Sequence, residues 1–191
     1  MKPQEILEST KALLTGHFLL TSGRHTNQYM QCAKVLQQPY YTEQLAKVIA
    51  KGFENEKVDI VISPAVGGIV IGYELARQFG AISVFAEREN GLMTLRRGFS
   101  IPKGSKVVVA EDVITTGSSS LEVLEIAKQS GAHVLGIGVI VDRTGGKADL
   151  GVKLVSAYSK EIVSYEKDNC PYCKEGMPLV KPGSRGINLN K

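Results

Sequence analysis

The sequence has no apolar run long enough to cross a bilayer. Its opening residues, Met1-Lys2-Pro3-Gln4-Glu5, are too polar for a secretory leader. Both absences point away from membranes and make a cytoplasmic protein the expectation. Charge is modest too: lysine plus arginine number 23 against 19 aspartate plus glutamate, a net charge of +4. There is no basic block and no aromatic-basic interleaving, so the excess suits a solvated surface or an anionic small molecule, not nucleic acid. Internal repeats and low-complexity tracts are also missing. The length of 191 residues allows one domain with a substantial core, with room for a small appendage.

Cysteine is scarce: Cys32 stands alone, and Cys170 and Cys173 form a Cys-Pro-Tyr-Cys pair. A tetrahedral zinc site needs four ligands, and the chain has no second cysteine pair. Its three histidines, His17, His25 and His133, are scattered along the sequence and do not obviously complete one. The expectation is a turn carrying two reduced thiols, with an intersubunit zinc site or a redox pair as alternatives.

Hydrophobic periodicity divides the chain into a cap of residues 1–40, a regular core of 41–168 and a Pro/Gly-rich arm of 169–191. In the cap, 3–14 reads as a helix with Pro3 at its start and Gly16 beyond its end. Strands follow near Phe18–Leu20 and Tyr29–Cys32, split by the polar segment 21–27. In the core, Leu45, Val48, Ile49 and Phe53 recur at helical spacing, and Val58–Ile62 is a β-branched run. A turn at Val66-Gly67-Gly68 precedes a helix from Ile69 to Phe79. Further strands are expected at Ile82–Ala86, Lys106–Ala110, Val134–Val141 and Lys153–Tyr158, with a helix at Ser119–Gln129. Buried strands alternating with amphipathic helices predict an α/β fold, a mainly parallel central sheet flanked by helices. Ligands in such folds bind beyond the carboxyl ends of the strands.

At one such end lies Val107-Val108-Val109-Ala110-Glu111-Asp112-Val113-Ile114-Thr115-Thr116-Gly117-Ser118-Ser119. A buried strand delivers two adjacent carboxylates, and a hydroxyl-rich turn then opens a helix. Free amides and the positive end of the helix dipole make that turn a phosphate cradle. Hydroxyls of Thr115, Thr116, Ser118 and Ser119 add donors, and Gly117 permits close approach. Glu111 and Asp112 would repel phosphate, so they suit sugar hydroxyls, a bridging cation or developing positive charge. The blander alternative, a capped helix beside two solvated acids, leaves the whole thirteen-residue run unexplained. Neither a Walker loop nor a dinucleotide turn matches it.

The run 107–119 resembles the phosphoribosyl pyrophosphate (PRPP) signature of type I phosphoribosyltransferases, and Glu111 to Gly117 resembles their orotate branch. His17 to His25, with Tyr29, is similar to the amino-terminal hood of that branch. Ser63 to Ile69 falls where the family has its pyrophosphate turn, and Val141-Asp142-Arg143 where an arginine meets the orotate carboxylate. The resemblance implies a type I phosphoribosyltransferase fold with a small hood over residues 1–40. It implies transfer of ribose 5-phosphate from PRPP to orotate, giving orotidine 5′-monophosphate and pyrophosphate in de novo pyrimidine synthesis. Mg²⁺ would be the cofactor, carried by PRPP with no direct protein ligand and reached from Asp112 through water.

By position, the resemblance assigns Glu111 and Asp112 to the ribose and its developing positive charge. It assigns Val113 to Ser119 (Val113, Ile114, Thr115, Thr116, Gly117, Ser118 and Ser119) to the 5-phosphate cradle, and Val66, Gly67 and Gly68 to pyrophosphate. Thr115, Arg143, Ser22 and Gly23 would meet the base, and Arg88 would serve PRPP binding and catalysis. A homodimer is implied, lending a lid across its interface. The departures are basic residues. Glu87 to Gly98, where relatives carry a mobile lysine-rich loop, has neither lysine nor histidine, leaving Arg96 and Arg97 to supply charge. Glu89, Thr21 and Gly67 likewise stand where many relatives have lysine. A different base, a PRPP-binding regulator without catalysis, and a redox or metal protein built on Cys170 and Cys173 are the competing readings.

Overall fold

A computed structural model of the chain describes residues 1–20 and 22–182. The hood position Thr21 and the end of the arm, including Gly183-Ser184-Arg185-Gly186, lie outside the described residues. In chain order the elements are α1 (Pro3–Ser9), β1 (Leu13–Leu19), β2 (His25–Met30), α2 (Ala33–Leu36) and α3 (Pro39–Lys51). Next come β3 (Ile60–Pro64), α4 (Gly67–Phe79), β4 (Ile82–Glu89), β5 (Leu92–Leu95), β6 (Lys106–Ile114) and α5 (Ser118–Gln129). The last are β7 (His133–Asp142), β8 (Leu154–Ser159), β9 (Ser164–Tyr165) and α6 (Pro171–Lys174).

Six strands form the central sheet in the order β5-β4-β3-β6-β7-β8. All neighbours run parallel except the β4–β5 edge pair. The expected mainly parallel α/β architecture is therefore present. Successive side chains of a strand face opposite sides, and β6 divides its apolar residues accordingly. Val108 and Ala110 join Leu45, Ile49, Ile71 and Leu75 of α3 and α4 in one buried cluster. Val107 and Val109 join Val123, Leu124 and Ala127 of α5 in the other. Val48, read with Leu45, Ile49 and Phe53 as a helical stripe, is 42% exposed.

Boundaries differ where local chemistry overrides periodicity. The first helix stops at Ser9, short of Leu14, because Lys11 takes a left-handed φ of 57°. The carbonyl of Ala12 then accepts from the amide of Gln31, drawing the chain into β1. β1, β2 and β9 form a separate antiparallel sheet, the hood. The 87–98 segment, expected to be a mobile loop, is in large part a hairpin. Asn90 and Gly91, with φ of 51° and 86°, supply the left-handed pair that a tight two-residue turn requires. Arg97 pairs with Glu87 at 2.7 Å and Arg96 with Glu89 at 3.3 Å, both within the same chain.

The expectation for the histidines is corrected as well. His17 of β1 and His25 of β2 converge on Cys170 and Cys173, so the pair does not sit in a bland turn.

Packing of α4 on the sheet positions everything that follows. Leu75 is fully buried in that contact. Truncation by Leu75→Ala is expected to lower unfolding free energy by about 2–5 kcal/mol. Denaturant titration should show a lower midpoint at unchanged slope; an unchanged midpoint would contradict the packing described.

Candidate active site

The alternation of β6 continues past its apolar residues and turns two neighbouring acids to opposite faces. Glu111, on the α5 side, lines a cavity of about 90 Å³ with Thr115, Thr116, Gly117, Ser118 and Ser119. Asp112 faces α4, and a Cβ placed on Gly67 would lie 3.0 Å from its carboxylate. Both acids lie within β6, beyond the point where the apolar pattern predicted its end.

Each acid thus sits beside the amino end of a helix. α5 begins after Gly117, whose φ of 77° is left-handed, and no side chain caps its first amides. A Cβ on Gly117 would also come within 2.6 Å of Leu150. The hydroxyls of Thr116 and Ser118 hydrogen-bond at 2.9 Å above those amides. α4 begins after Val66, which is 81% exposed, and the Ala65–Val66 peptide is cis. Gly68 lets α4 lie against β6, since a Cβ there would meet the Ala110 carbonyl at 3.0 Å. Two anion-attracting helix ends flank two acids.

Burial, and then the charge of Asp112, push the Glu111 carboxyl up to about 8. Burial also raises Asp112. Asp112 N–H donates to Glu111 Oε1 at 3.1 Å and Val113 N–H to Asp112 Oδ1 at 2.8 Å, which fixes both carboxyls. Two buried acids held side by side ionise together only where a cationic neighbour compensates them. Behind them Cys32 donates to the Asp112 carbonyl at 3.5 Å, and burial holds its thiol well above the ordinary value.

A larger cavity of about 600 Å³ opens between this turn and the hood. Its wall includes Leu19, Ser22, Tyr29, Arg143 and Lys181, and it shares Thr115 and Thr116 with the smaller cavity. Arg143 Nε is buried without a hydrogen-bond partner among the described residues. Burial lowers the pKa of its guanidinium. The turn carrying it is rigid: Asp142 accepts from Thr144 N–H at 2.8 Å, Gly146 N–H at 2.7 Å and Ser159 Oγ at 3.0 Å. A half-buried guanidinium with an unpartnered Nε at a cavity wall suits an anionic, planar group.

Several expected site residues are thus brought together: Glu111, Asp112, Thr115 to Ser119, Gly67, Ser22 and Arg143. Gly23 takes φ of 81° in the hood turn and lines neither cavity. Arg88 stands apart, its guanidinium gripping Glu122 at 2.6 and 2.9 Å. Lys181 and Asp142 were missed, Lys181 because only the fold carries the arm to the hood. Asp142 had a signal, an acid followed at Thr144 and Gly146 by turn residues able to donate to it.

The phosphoribosyl transferase domain family model matches residues 32–166. An orotate phosphoribosyltransferase of Desulforamulus reducens is 54% identical over 183 residues, covering 96% of each chain. The chain belongs to the orotate phosphoribosyltransferase family. A second relative of that name, from Pelotomaculum thermopropionicum, is 55% identical over 182 residues, covering 95% of this chain and 96% of its own. The crystal structure of orotate phosphoribosyltransferase from Aeropyrum pernix superposes with a TM-score of 0.69 at 28% identity, covering 81% of this chain and 92% of that one. Its fold is therefore that of the family.

The raised Glu111 carboxyl has a consequence for stability. Folding raises this acid from 4.5 to about 8, so the folded state binds more protons than the unfolded in that window. Stability of the free protein therefore falls as pH rises from 4.5 through about 8. Glu111→Gln removes that dependence. Its melting temperature relative to the parent chain is expected to rise steadily across the window, and a flat difference would contradict the assignment.

Proposed function

We propose that the chain transfers ribose 5-phosphate from PRPP to a ring nitrogen of orotate, giving orotidine 5′-monophosphate and pyrophosphate on the de novo route to UMP. One observation carries the choice of base: Arg143, buried and unpartnered at Nε, in the cavity that shares Thr115 and Thr116 with the phosphate turn. Orotate is planar and anionic, and its carboxylate matches the guanidinium fork.

The amides opening α5 and the hydroxyls of Thr115 to Ser119 hold the 5-phosphate. The amides opening α4, at Val66 to Gly68, hold pyrophosphate. Glu111 and Asp112 then lie between them, where the ribose must sit. As the bond from the anomeric carbon to pyrophosphate breaks, positive charge spreads over that carbon and the ring oxygen. Two fixed acids nearby favour that charge over the neutral ground state. The orotate nitrogen donates its electron pair to the anomeric carbon, and the bonding pair leaves with pyrophosphate. The charge of orotate lies on its carboxylate, so the attacking ring nitrogen also gives up its proton, to water or to the departing pyrophosphate, as the new bond forms.

The site also suits Mg²⁺ travelling with PRPP, since Asp112 presents a buried carboxylate against the side-chain-free Gly67. Bound there through water, the ion would spread the charge of the departing pyrophosphate. The active unit is a homodimer in this reading. Arg88, Arg96 and Arg97 line neither cavity of their own chain, which fits a hairpin serving a neighbour's site. No helix among the described residues is long and apolar enough to cross a membrane. The free thiols suit a reducing compartment, the cytoplasm.

The test is loss of orotate absorbance with PRPP and Mg²⁺, beside uracil and purines as alternative bases. Turnover of orotate alone is expected. Arg143→Ala should raise KM for orotate by about 10–100-fold while leaving KM for PRPP nearly unchanged. Turnover of a purine in place of orotate would overturn the base assignment, and PRPP binding without turnover of any base would overturn the enzyme.

A further inference from the structure

Opposite the sheet ends, the hood holds a second constellation that the transferase reaction does not use. His17, His25, Cys170 and Cys173 each aim one donor atom at a common centre, all within 4.8 Å of one another. His17, His25 and Cys170 are buried, and Cys173 is partly exposed. His17 Nε2 lies 3.0 Å from His25 Nδ1, 3.4 Å from Cys170 Sγ and 3.7 Å from Cys173 Sγ. Cys173 Sγ is 3.2 Å from His25 Nδ1.

Hydrogen bonding alone accounts poorly for this crowd. His17 Nδ1 donates to the Met177 carbonyl at 2.9 Å, an acceptor only, so Nδ1 carries the proton and Nε2 of the neutral ring has one lone pair. Three neighbours compete for that lone pair. A cation at the centre satisfies all four donors at once. A tetrahedron with Zn–N of about 2.0–2.1 Å and Zn–S of about 2.3 Å has edges of about 3.3 Å between nitrogens and about 3.5 Å between nitrogen and sulfur. The nitrogen–sulfur separations of 3.2, 3.4 and 3.7 Å bracket the second value, and the nitrogen–nitrogen separation of 3.0 Å falls about 0.3 Å short of the first. The bond from Nδ1 to a carbonyl is also the outer contact that orients a metal-binding histidine.

We propose that this cluster is a structural zinc site, with His17 Nε2, His25 Nδ1, Cys170 Sγ and Cys173 Sγ as its four ligands. Two thiolates and two imidazoles select zinc over the hard Mg²⁺ of the transfer reaction. Four protein ligands leave no open position for chemistry, so the role is to fasten. Both thiols lose their protons to solvent as the metal binds, and no oxidant or reductant is involved.

What it fastens is specific. The histidines belong to adjacent hood strands, and the cysteines to the arm some 150 residues later. The arm continues alongside β1: Val180 N–H donates to the His17 carbonyl and the Val180 carbonyl accepts from Leu19 N–H, both at 2.8 Å. Lys181 follows directly and lines the 600 Å³ cavity. Zinc would therefore hold one wall of that cavity in place. The effect on orotate binding rests on the proposed function, whereas the metal assignment does not.

The experiment is elemental analysis of the full chain purified without chelator, read independently of catalysis. About one zinc per chain is expected, falling to roughly one tenth in Cys170→Ser/Cys173→Ser. His133→Gln, at the exposed third histidine, should keep its zinc. Cobalt replacement should give the intense visible bands of a tetrahedral site with a sulfur-to-cobalt transition. If the double variant fails to fold, that spectrum and the zinc content of Cys173→Ser alone still decide. Zinc below one tenth per chain even after incubation with Zn²⁺, on the same stoichiometric expectation, would overturn the site. So would a Cys170–Cys173 disulfide in protein isolated from reducing extract, seen as loss of two hydrogens in the intact mass.

Discussion

Two adjacent carboxylates at the end of a buried central strand are the constraint around which the molecule is arranged. Glu111 and Asp112 repel each other and lose hydration, a condition tolerated only where something compensates. Here each receives a backbone N–H, and each faces the amino end of a helix. The helices can approach because Gly67, Gly68 and Gly117 leave room. The same amides and glycines that relieve the acids also make two anion cradles. A substrate carrying phosphate at one end, pyrophosphate at the other and incipient positive charge between them complements that pattern of charge.

This arrangement also gives physical sense to the missing basic residues. Gly67 leaves the head of α4 without a side chain, and a Cβ there would lie 3.0 Å from the Asp112 carboxylate, which would have to give by a few tenths of an ångström. In the proposed reaction, pyrophosphate would then be held by the amides opening α4 and by the cation that PRPP would bring. The arginines of the β4–β5 hairpin are held by Glu87, Glu89 and Glu122 in ion pairs that are largely exposed. Exposed pairs of this kind are weak, of order 0–1 kcal/mol. In the proposed reaction such pairs would give way to a polyphosphate at little cost.

Sequence reading was most reliable where signals are local. The apolar run of β6, the hydroxyl turn and the start of α5 are contiguous, so strand, acids and cradle could all be read from thirteen residues. Arg143 was reached by resemblance to a family, and its burial and missing partner were invisible until the hood and β7 were in place. The Asn90-Gly91 pair is a hairpin signal in its own right, which the resemblance to a family with a loop at 87–98 outweighs in the sequence. Long-range convergence was not legible at all. His17 and Cys170 are 153 residues apart, and neither has a neighbour in sequence that advertises a partner. A cap read as one helix to Leu14 likewise hid the start of β1, of which only the end was expected near Phe18–Leu20, since pairing with β2 is what makes 13–19 a strand.

In the proposed reaction Asp112 stands beside the charge that develops as the ribose loses pyrophosphate and has little part in holding the ground state. Comparing kcat with the equilibrium dissociation constant for PRPP in Asp112→Asn tests that claim most directly. Turnover should fall roughly 100-fold or more while PRPP affinity changes little. Equal losses in both would mean that Asp112 binds substrate and does not act selectively on the transition state.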